Sequence, residues 1–302
     1  MTKALKKVRV SMMNAIHDLP LLVARDEGFF RDEGLDVDIL KTPGSGQRDS
    51  DHQALRQNIF ERTMEALYDQ GQCDQFRMCE WGVMKRAVEA EKTGHRPAKI
   101  VALGSAMSTF AIVTDPKARI YEPEQLKNKP IGVSPFNGSH FTTLKLLEGF
   151  LKRDQIKWAF AGTMKERLEA LSKGEVAAVS LMEPWISVAE KRGMRVLMES
   201  HSTRSEAAGD ELDGATLAAM FRAEARAAET IDKDPWRHAN YLIEEAGGLL
   251  DKKDLKVSRL LNAPPEPYTR ERFDHTYQWT LGWGLVESGA TFENTVDNRA
   301  WQ

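Results

Sequence analysis

Apolar and polar positions change period several times within the first forty residues, and each change marks an element. Val8 to Met12 reads as a strand that runs into Asn14-Ala15-Ile16-His17-Asp18. Leu21, Leu22 and Ala24, then Phe29 and Phe30, fall on one face of a short helix beginning near Pro20, with Arg25, Asp26 and Glu27 opposite. Gly28 lies near the end of that helix and Gly34 at a turn that needs an unhindered backbone. Leu35, Val37 and Ile39 then alternate with Asp36 and Asp38, the pattern of a half-buried strand. Strand, loop, helix, strand is a right-handed parallel crossover. Its first loop falls beyond the carboxyl end of a strand, where such sheets bind ligands.

Similar units follow. Pro43 to Asp51 is a polar loop, and His52 to Gln70 an amphipathic helix with Leu55, Ile59, Met64 and Leu67 inward. Residues 75 to 79 form a short strand and Trp81 to Ala90 a helix. Ile100 to Leu103 and Phe110 to Thr114 are strands joined by the small-residue link GSAMST. Glu122 to Lys129 reads as a short helix before the strand Pro130 to Val133. Asn137-Gly138-Ser139-His140 opens a helix through Leu151, and Thr163 to Ser172 is another. Gly174 to Val179 is a turn and strand leading to Met182-Glu183-Pro184-Trp185, and Val196 to Met198 is the next strand. Thr203 to Asp213 reads as a loop, whereas Thr216 to Phe221 fits a strand or a helix start equally well. The remainder is helical: Arg222 to Ile231, Trp236 to Ala246, Leu249 to Leu260 and Arg270 to Val286.

Three stretches resemble one family. EGFFRDEGLDVDIL, residues 27–40, is similar to the opening of the sulfonate, taurine, nitrate and thiamine-pyrimidine binding proteins, a branch of the type 2 periplasmic binding protein fold. Leu126 to Val133 resembles the family phrase D-L-K-G-K-x-I-G-V, with Asn128 at the glycine. Gly174 to Pro184 resembles G-x-x-D-A-x-x-x-x-E-P, with Ala177 replacing the usual Asp. The resemblance implies an α/β fold of two lobes with a ligand cleft between them. Residues 1–108 plus 206–302 would form the first lobe and 109–205 the inserted second, with GSAMST as one strand of the hinge.

Composition adds mostly exclusions. Hydrophobic residues at 41% and charged residues at 29% belong to an ordinary globular protein. A net charge of −3 gives no global reason to expect nucleic acid or an anionic membrane as partner. No apolar run is long enough to span a bilayer. MTKALKKVRV lacks the apolar core of a secretion signal, which predicts a cytoplasmic protein as the sequence stands and a periplasmic one if a leader has been removed. The two cysteines, Cys73 and Cys79, form no disulfide or zinc pattern. Phosphate-binding glycine motifs, GxSxG and HExxH are missing, so no cofactor or metal is expected.

Four stretches qualify for the cleft that the resemblance implies. Asn14, His17 and Asp18 follow the first strand and either contact a ligand or cap the next helix. Cys79, Glu80 and Trp81 open a helix after a strand. A thiol there has a lowered pKa and is a candidate nucleophile, Glu80 a proton carrier and Trp81 a stacking wall; a buried thiol, a cap and a core aromatic are the plainer readings. Ser134, Asn137, Gly138, Ser139 and His140 run into a helix start whose N–H groups suit a carboxylate or sulfonate. Glu183 and Trp185 follow a second-lobe strand and either touch the ligand or hold the hinge.

The function expected first is a solute-binding protein that closes over a small planar organic anion, of the sulfonate, aromatic-acid or pyrimidine class, and serves an ABC transporter permease. The alternative is a cytosolic, cofactor-free lyase or hydrolase on the same scaffold, like the decarboxylase and desulfinase relatives. In that case Cys79, Glu80, His17 and His140 are the catalytic candidates. The desulfinase's cysteine follows an Asn in the first loop, and here Ala15 follows Asn14, which counts against that particular chemistry.

Overall fold

The computed structural model describes residues 4–41, 64–135 and 137–302. The expected loop Pro43 to Asp51 and most of the expected helix His52 to Gln70 lie outside the described residues. The chain divides into two compact units: Met1–Met107, Thr203–Asp234 and Asn262–Gln302 in one, Ser108–Ser202 and Pro235–Leu261 in the other.

The first unit is built on the crossover. β1 (Lys6–Met12) and β2 (Leu35–Lys41) pair in parallel, with Val8 opposite Val37 and Val10 opposite Ile39. Between them run α1 (Ala15–Asp26) and the short α2 (Phe29–Asp32), which Gly28 introduces at φ 79°. α1 begins at Ala15 rather than near Pro20. The Asn14 side chain accepts the N–H of His17 and caps the helix there, leaving Pro20 inside it. Proline supplies no N–H, so the Ile16 carbonyl gains no bond from it. α3 (Met64–Asp69) then leads to β3 (Gln75–Met78), parallel to β1, and α4 (Glu80–Thr93) follows at once. The two strands expected on either side of GSAMST are one, β4 (Lys99–Thr114), whose Ser105, Ser108 and Thr109 are as buried as its Val and Ile residues. Small hydroxyl side chains fit a close-packed strand that a hydropathy pattern reads as a break.

In the second unit β5 (Pro130–Val133) is followed by α5 (Gly138–Leu147), shorter than expected. β6 (Lys157–Phe160), α6 (Met164–Lys173), β7 (Ala178–Met182) and α7 (Trp185–Lys191) complete the unit. β7 pairs antiparallel with β4, Ala111 opposite Leu181, and parallel with β5, which pairs in turn with β6.

β8 (Arg195–Ala208) returns to the first unit. Thr203 to Ala208, expected as loop, is strand: Gln75, Phe76, Arg77 and Met78 of β3 face Ala208, Ala207, Glu206 and Ser205 in antiparallel register. α8 (Gly214–Lys233) settles Thr216 to Phe221 as helix and packs against α1 and α2. Segment 235–261 was expected with the first lobe but groups with the second unit. It consists of short turns around α9 (Asn240–Glu245), broken where Gly247 and Gly248 take φ 61° and 81°. Arg259 fastens it there through Glu183, Glu190 and Glu199. α10 (Arg270–Gly282) returns Phe273 and Tyr277 to the first unit's core, with Phe76, Met84 and Tyr268. Among the described residues no helix is long and apolar enough to cross a membrane.

Candidate functional site

Three side chains meet at the carboxyl ends of β1 and β3. His17 stands on the first turn of α1 and Cys79 caps α4 directly after β3. Arg204 lies on β8 one residue before Ser205, the partner of Met78. All three are more than nine-tenths buried. Arg204 Nη2 donates to His17 Nε2, and the guanidinium also bonds the Cys79 thiol. A guanidinium has donors only. His17 Nε2 is therefore the acceptor, which puts the ring proton on Nδ1. Nδ1 has no hydrogen-bond partner among the described residues, so a buried N–H is left without an acceptor. Burial, then the positive charges of Arg204 and Arg77, hold the His17 pKa well below 6.5, and the ring is neutral near pH 7.

The activated thiol expected at Cys79 is corrected. Burial raises its pKa despite Arg204 and the Gly82 N–H, and the thiol stays protonated. Asn14 works as the α1 cap, its Oδ1 accepting from His17 N at 3.0 Å. Asp18 Oδ2 accepts the N–H groups of Met13 at 2.8 Å and Asn14 at 3.2 Å. Glu80 and Trp81 contact α10 and the residues just before it. Glu80 accepts from the Tyr268 hydroxyl and from Arg272 Nε at 2.9 Å and Nη2 at 3.1 Å. Trp81 packs on Trp279 with ring centroids 5.9 Å apart, the plain core reading of that aromatic.

A buried ionic set adjoins the trio. Arg77 meets Asp18 Oδ1 at 3.1 Å, Glu206 Oε1 at 2.5 Å and Glu224 Oε2 at 2.7 Å, all four side chains being 1% exposed or less. Gln75 Nε2 donates to Glu206 Oε2 at 2.7 Å, and Ser105 Oγ to Glu224 Oε2 at 2.9 Å. Gly104 admits the Glu206 carboxylate, since a Cβ there would stand 2.5 Å from Oε1. Burial pushes the Glu206 pKa up to about 7 and raises that of Glu224, with Arg77 opposing both.

The remaining candidates lie in the second unit, and several make local hydrogen bonds there. Asn137 caps α5: its Oδ1 accepts the Ser139 N–H at 3.0 Å and the Ser139 hydroxyl at 2.7 Å. The Ser134 N–H donates to Ser139 Oγ at 3.0 Å. The Ser139 N–H expected to greet an anion is thus already engaged, and Gly138 at the head of the helix is buried. His140 is buried between Phe141 and Trp158, with ring centroids 5.8 and 4.7 Å away, and burial lowers its pKa to about 4. Glu183 accepts from Ser187 N at 3.2 Å and Arg259 Nη1 at 3.1 Å, which is the tethering role. Trp185 opens α7, half-buried.

Sequence reasoning missed Arg77, Arg204, Glu206 and Glu224. The signals were there. Gln75 and Arg77, like Arg204 and Glu206, are spaced by two along strands, and Glu224 interrupts the stripe Leu217, Phe221, Ala228, Ile231 of α8. Among the described residues no group of three His, Cys, Asp or Glu is placed to hold a metal ion.

The family described as NMT1/THI5 like matches residues 16–54. No curated protein sequence matches the chain. Solved structures do. The periplasmic aliphatic sulphonate binding protein SsuA from Escherichia coli is 16% identical with TM-score 0.70, covering 98% of this chain and 99% of that one. The periplasmic nitrate-binding protein NrtA from Synechocystis PCC 6803 is 12% identical with TM-score 0.72, covering 98% and 87%. The desulfurization enzyme DSZB is 14% identical with TM-score 0.61, covering 96% of each. The chain has the α/β fold of the type 2 periplasmic binding proteins, and at these identities the likeness carries the fold alone.

Proposed function

We propose that this chain, folded as a periplasmic binding protein, binds a small organic anion of the sulfonate, aromatic-acid or pyrimidine class as a solute-binding protein. The observation that carries this reading is the His17 Nδ1–H beside the Arg204 guanidinium, a buried donor with no acceptor among the described residues next to a buried cation. Both stand at the carboxyl ends of strands, from which open α/β sheets hold their ligands. An anionic oxygen accepting from Nδ1–H in the field of Arg204 gains a charge-assisted bond worth about 1.5–3 kcal/mol. Likeness to proteins that bind aliphatic sulphonates and nitrate supports the same ligand class. A permease of the ABC class is then the partner and the periplasm the address.

A thermal-shift screen of alkanesulfonates, benzenesulfonate, benzoates, nitrate and pyrimidine carboxylates tests the reading. A ligand at about 100 times its Kd adds about 2.7 kcal/mol of stability. A stabilising anion whose effect vanishes in His17→Phe supports the assignment. Stabilisation only by neutral or cationic compounds overturns it.

One observation favours a second reading. The Cys79 thiol contacts the same guanidinium as His17, on a fold shared with a desulfurization enzyme. A lyase or hydrolase would need that thiol deprotonated on ligand arrival. Chemical change of the bound anion, lost in Cys79→Ser with binding retained, would establish it. An unchanged ligand after prolonged incubation returns the case to binding.

A further inference from the structure

The ionic set beside the proposed anion site carries unequal charge. Two guanidiniums, Arg77 and Arg204, face three carboxylates, Asp18, Glu206 and Glu224, while His17 and Cys79 are neutral. With every carboxylate ionised the set holds a net charge of −1, a poor host for an incoming anion in a buried setting. One oxygen has room for the charge to change. Both Glu206 oxygens accept, from Arg77 Nε and Gln75 Nε2, and Glu224 Oε2 meets Ser105 and Arg77. Glu224 Oε1 is buried with no hydrogen-bond partner among the described residues. A carboxylate oxygen in that position favours the protonated acid.

Every element around the pair contributes to its balance. From β3 come Arg77 and Gln75, from α1 Asp18 and His17, and from β4 Ser105. From β8 itself comes Arg204, two residues from Glu206 on the same strand face, a separation of about 7 Å. Asp18 joins the two halves, bonding Arg77 and acting electrostatically on both Arg204 and Glu224. We propose that Glu224 and Glu206 share one exchangeable proton across Arg77, residing on Glu224 Oε1, and that an anion arriving at His17 and Arg204 is taken up together with that proton. Where the set starts fully ionised, its net charge is then the same before and after binding. The coupling rests on the anion-site reading above, whereas the shared proton does not.

Burial of both carboxyls, and their mutual repulsion, supports titration near neutrality as a pair. The sign follows from linkage. Where the ligand-free pair is ionised, binding must draw a proton from solvent, so Kd weakens by up to tenfold per unit rise in pH. Where the pair already holds the proton, Kd is flat.

Two measurements on the full chain decide. Infrared difference spectra between about pH 6 and about pH 9, without any ligand, read the proton directly. The expected result is a protonated-carboxyl band at the lower pH that is lost at the higher and missing from Glu224→Gln. A wild-type spectrum without such a band overturns the shared proton. Calorimetric titration of wild type with benzenesulfonate, methanesulfonate and nitrate, near pH 8 in two buffers of different ionisation heat, reads the coupling and needs no variant. The expected result is about one proton taken up per anion. Binding with no proton uptake overturns the coupling and leaves the anion site standing. No binding by any of the three anions overturns the anion site and the coupling with it, whatever the infrared band shows.

Discussion

Replacing Arg77 by methionine gives the sharpest test of the buried ionic set. The change keeps a long apolar stem and removes one charge from among three carboxylates at 3.1, 2.5 and 2.7 Å. Removing one partner of a buried ion pair costs about 3–5 kcal/mol, because the other charge is left uncompensated. Whole-domain stabilities run about 5–15 kcal/mol, so Arg77→Met should be severely weakened but foldable. The deficit should also depend on pH. Glu206 and Glu224, already raised by burial, lose the Arg77 field that lowers them and climb further. A carboxyl whose folded pKa lies above its unfolded value stabilises the fold at low pH and loses that contribution as pH rises. A carboxyl protonated in the folded variant but ionised in folded wild type therefore narrows the gap by about 1.4 kcal/mol per unit fall in pH; for Glu206, at about 7 in wild type, that window lies above pH 7. Urea melts followed by tryptophan fluorescence at several pH values supply both numbers. Arg77→Met with Glu206→Gln and Glu224→Gln should recover part of the loss at neutral pH. A deficit below about 1 kcal/mol, or one that does not change with pH, would refute the reasoning.

Other consequences follow from single groups. His140, lowered to about 4 by burial, stabilises the fold above about 6.5 and withdraws that support as pH falls through 4; the loss is about 3 kcal/mol, and His140→Phe should flatten that acid limb in pH-dependent urea melts. Arg259→Met breaks the ties to Glu183, Glu190 and Glu199, so segment 235–261 should exchange amide hydrogens faster and become the first site of limited proteolysis, while Lys256→Ala, removing one exposed pair, should have little effect. Cys79 and Cys73, one raised by burial and the other pushed up to about 11, should resist iodoacetamide near pH 8 in the folded protein and react fully in urea; fast labelling of native Cys79 would contradict the protonated, buried thiol.

The parts of the fold written in short-range pattern were legible in the sequence. Leu35, Val37 and Ile39 alternating with Asp36 and Asp38 gave β2, and Thr163 with Glu166 marks the start of α6 by a reciprocal cap. What stayed hidden was polar residues inside the structure. Ser105, Ser108 and Thr109 were read as a link, and Thr203 to Ala208 as a loop, because small and charged residues carry no hydropathy signal for burial. In the structure they are strand, and some are satisfied by neighbours remote in sequence: Glu206 by Arg77 across 129 positions, Ser105 by Glu224 across 119. The same blindness shaped the site. His17 was found because it follows the first strand, but Arg204, which fixes its tautomer, lies 187 positions away in a stretch that looked unstructured. Residues at helix starts have local roles that residue type alone does not separate from ligand contact: Asn137, Ser139 and Asn14 satisfy their own helices.

The central claim is that the His17 Nδ1–H is the donor that meets the ligand. Isothermal titration of wild type and His17→Phe, with the most stabilising anion from the screen, tests it most directly. Phenylalanine keeps an aromatic ring and removes both ring nitrogens, Nδ1 with its proton and the Nε2 that accepts from Arg204. Loss of a hydrogen bond to a charged group predicts about 1.5–3 kcal/mol, a Kd roughly 10- to 150-fold weaker at unchanged stoichiometry. A Kd within about twofold of wild type would contradict the account.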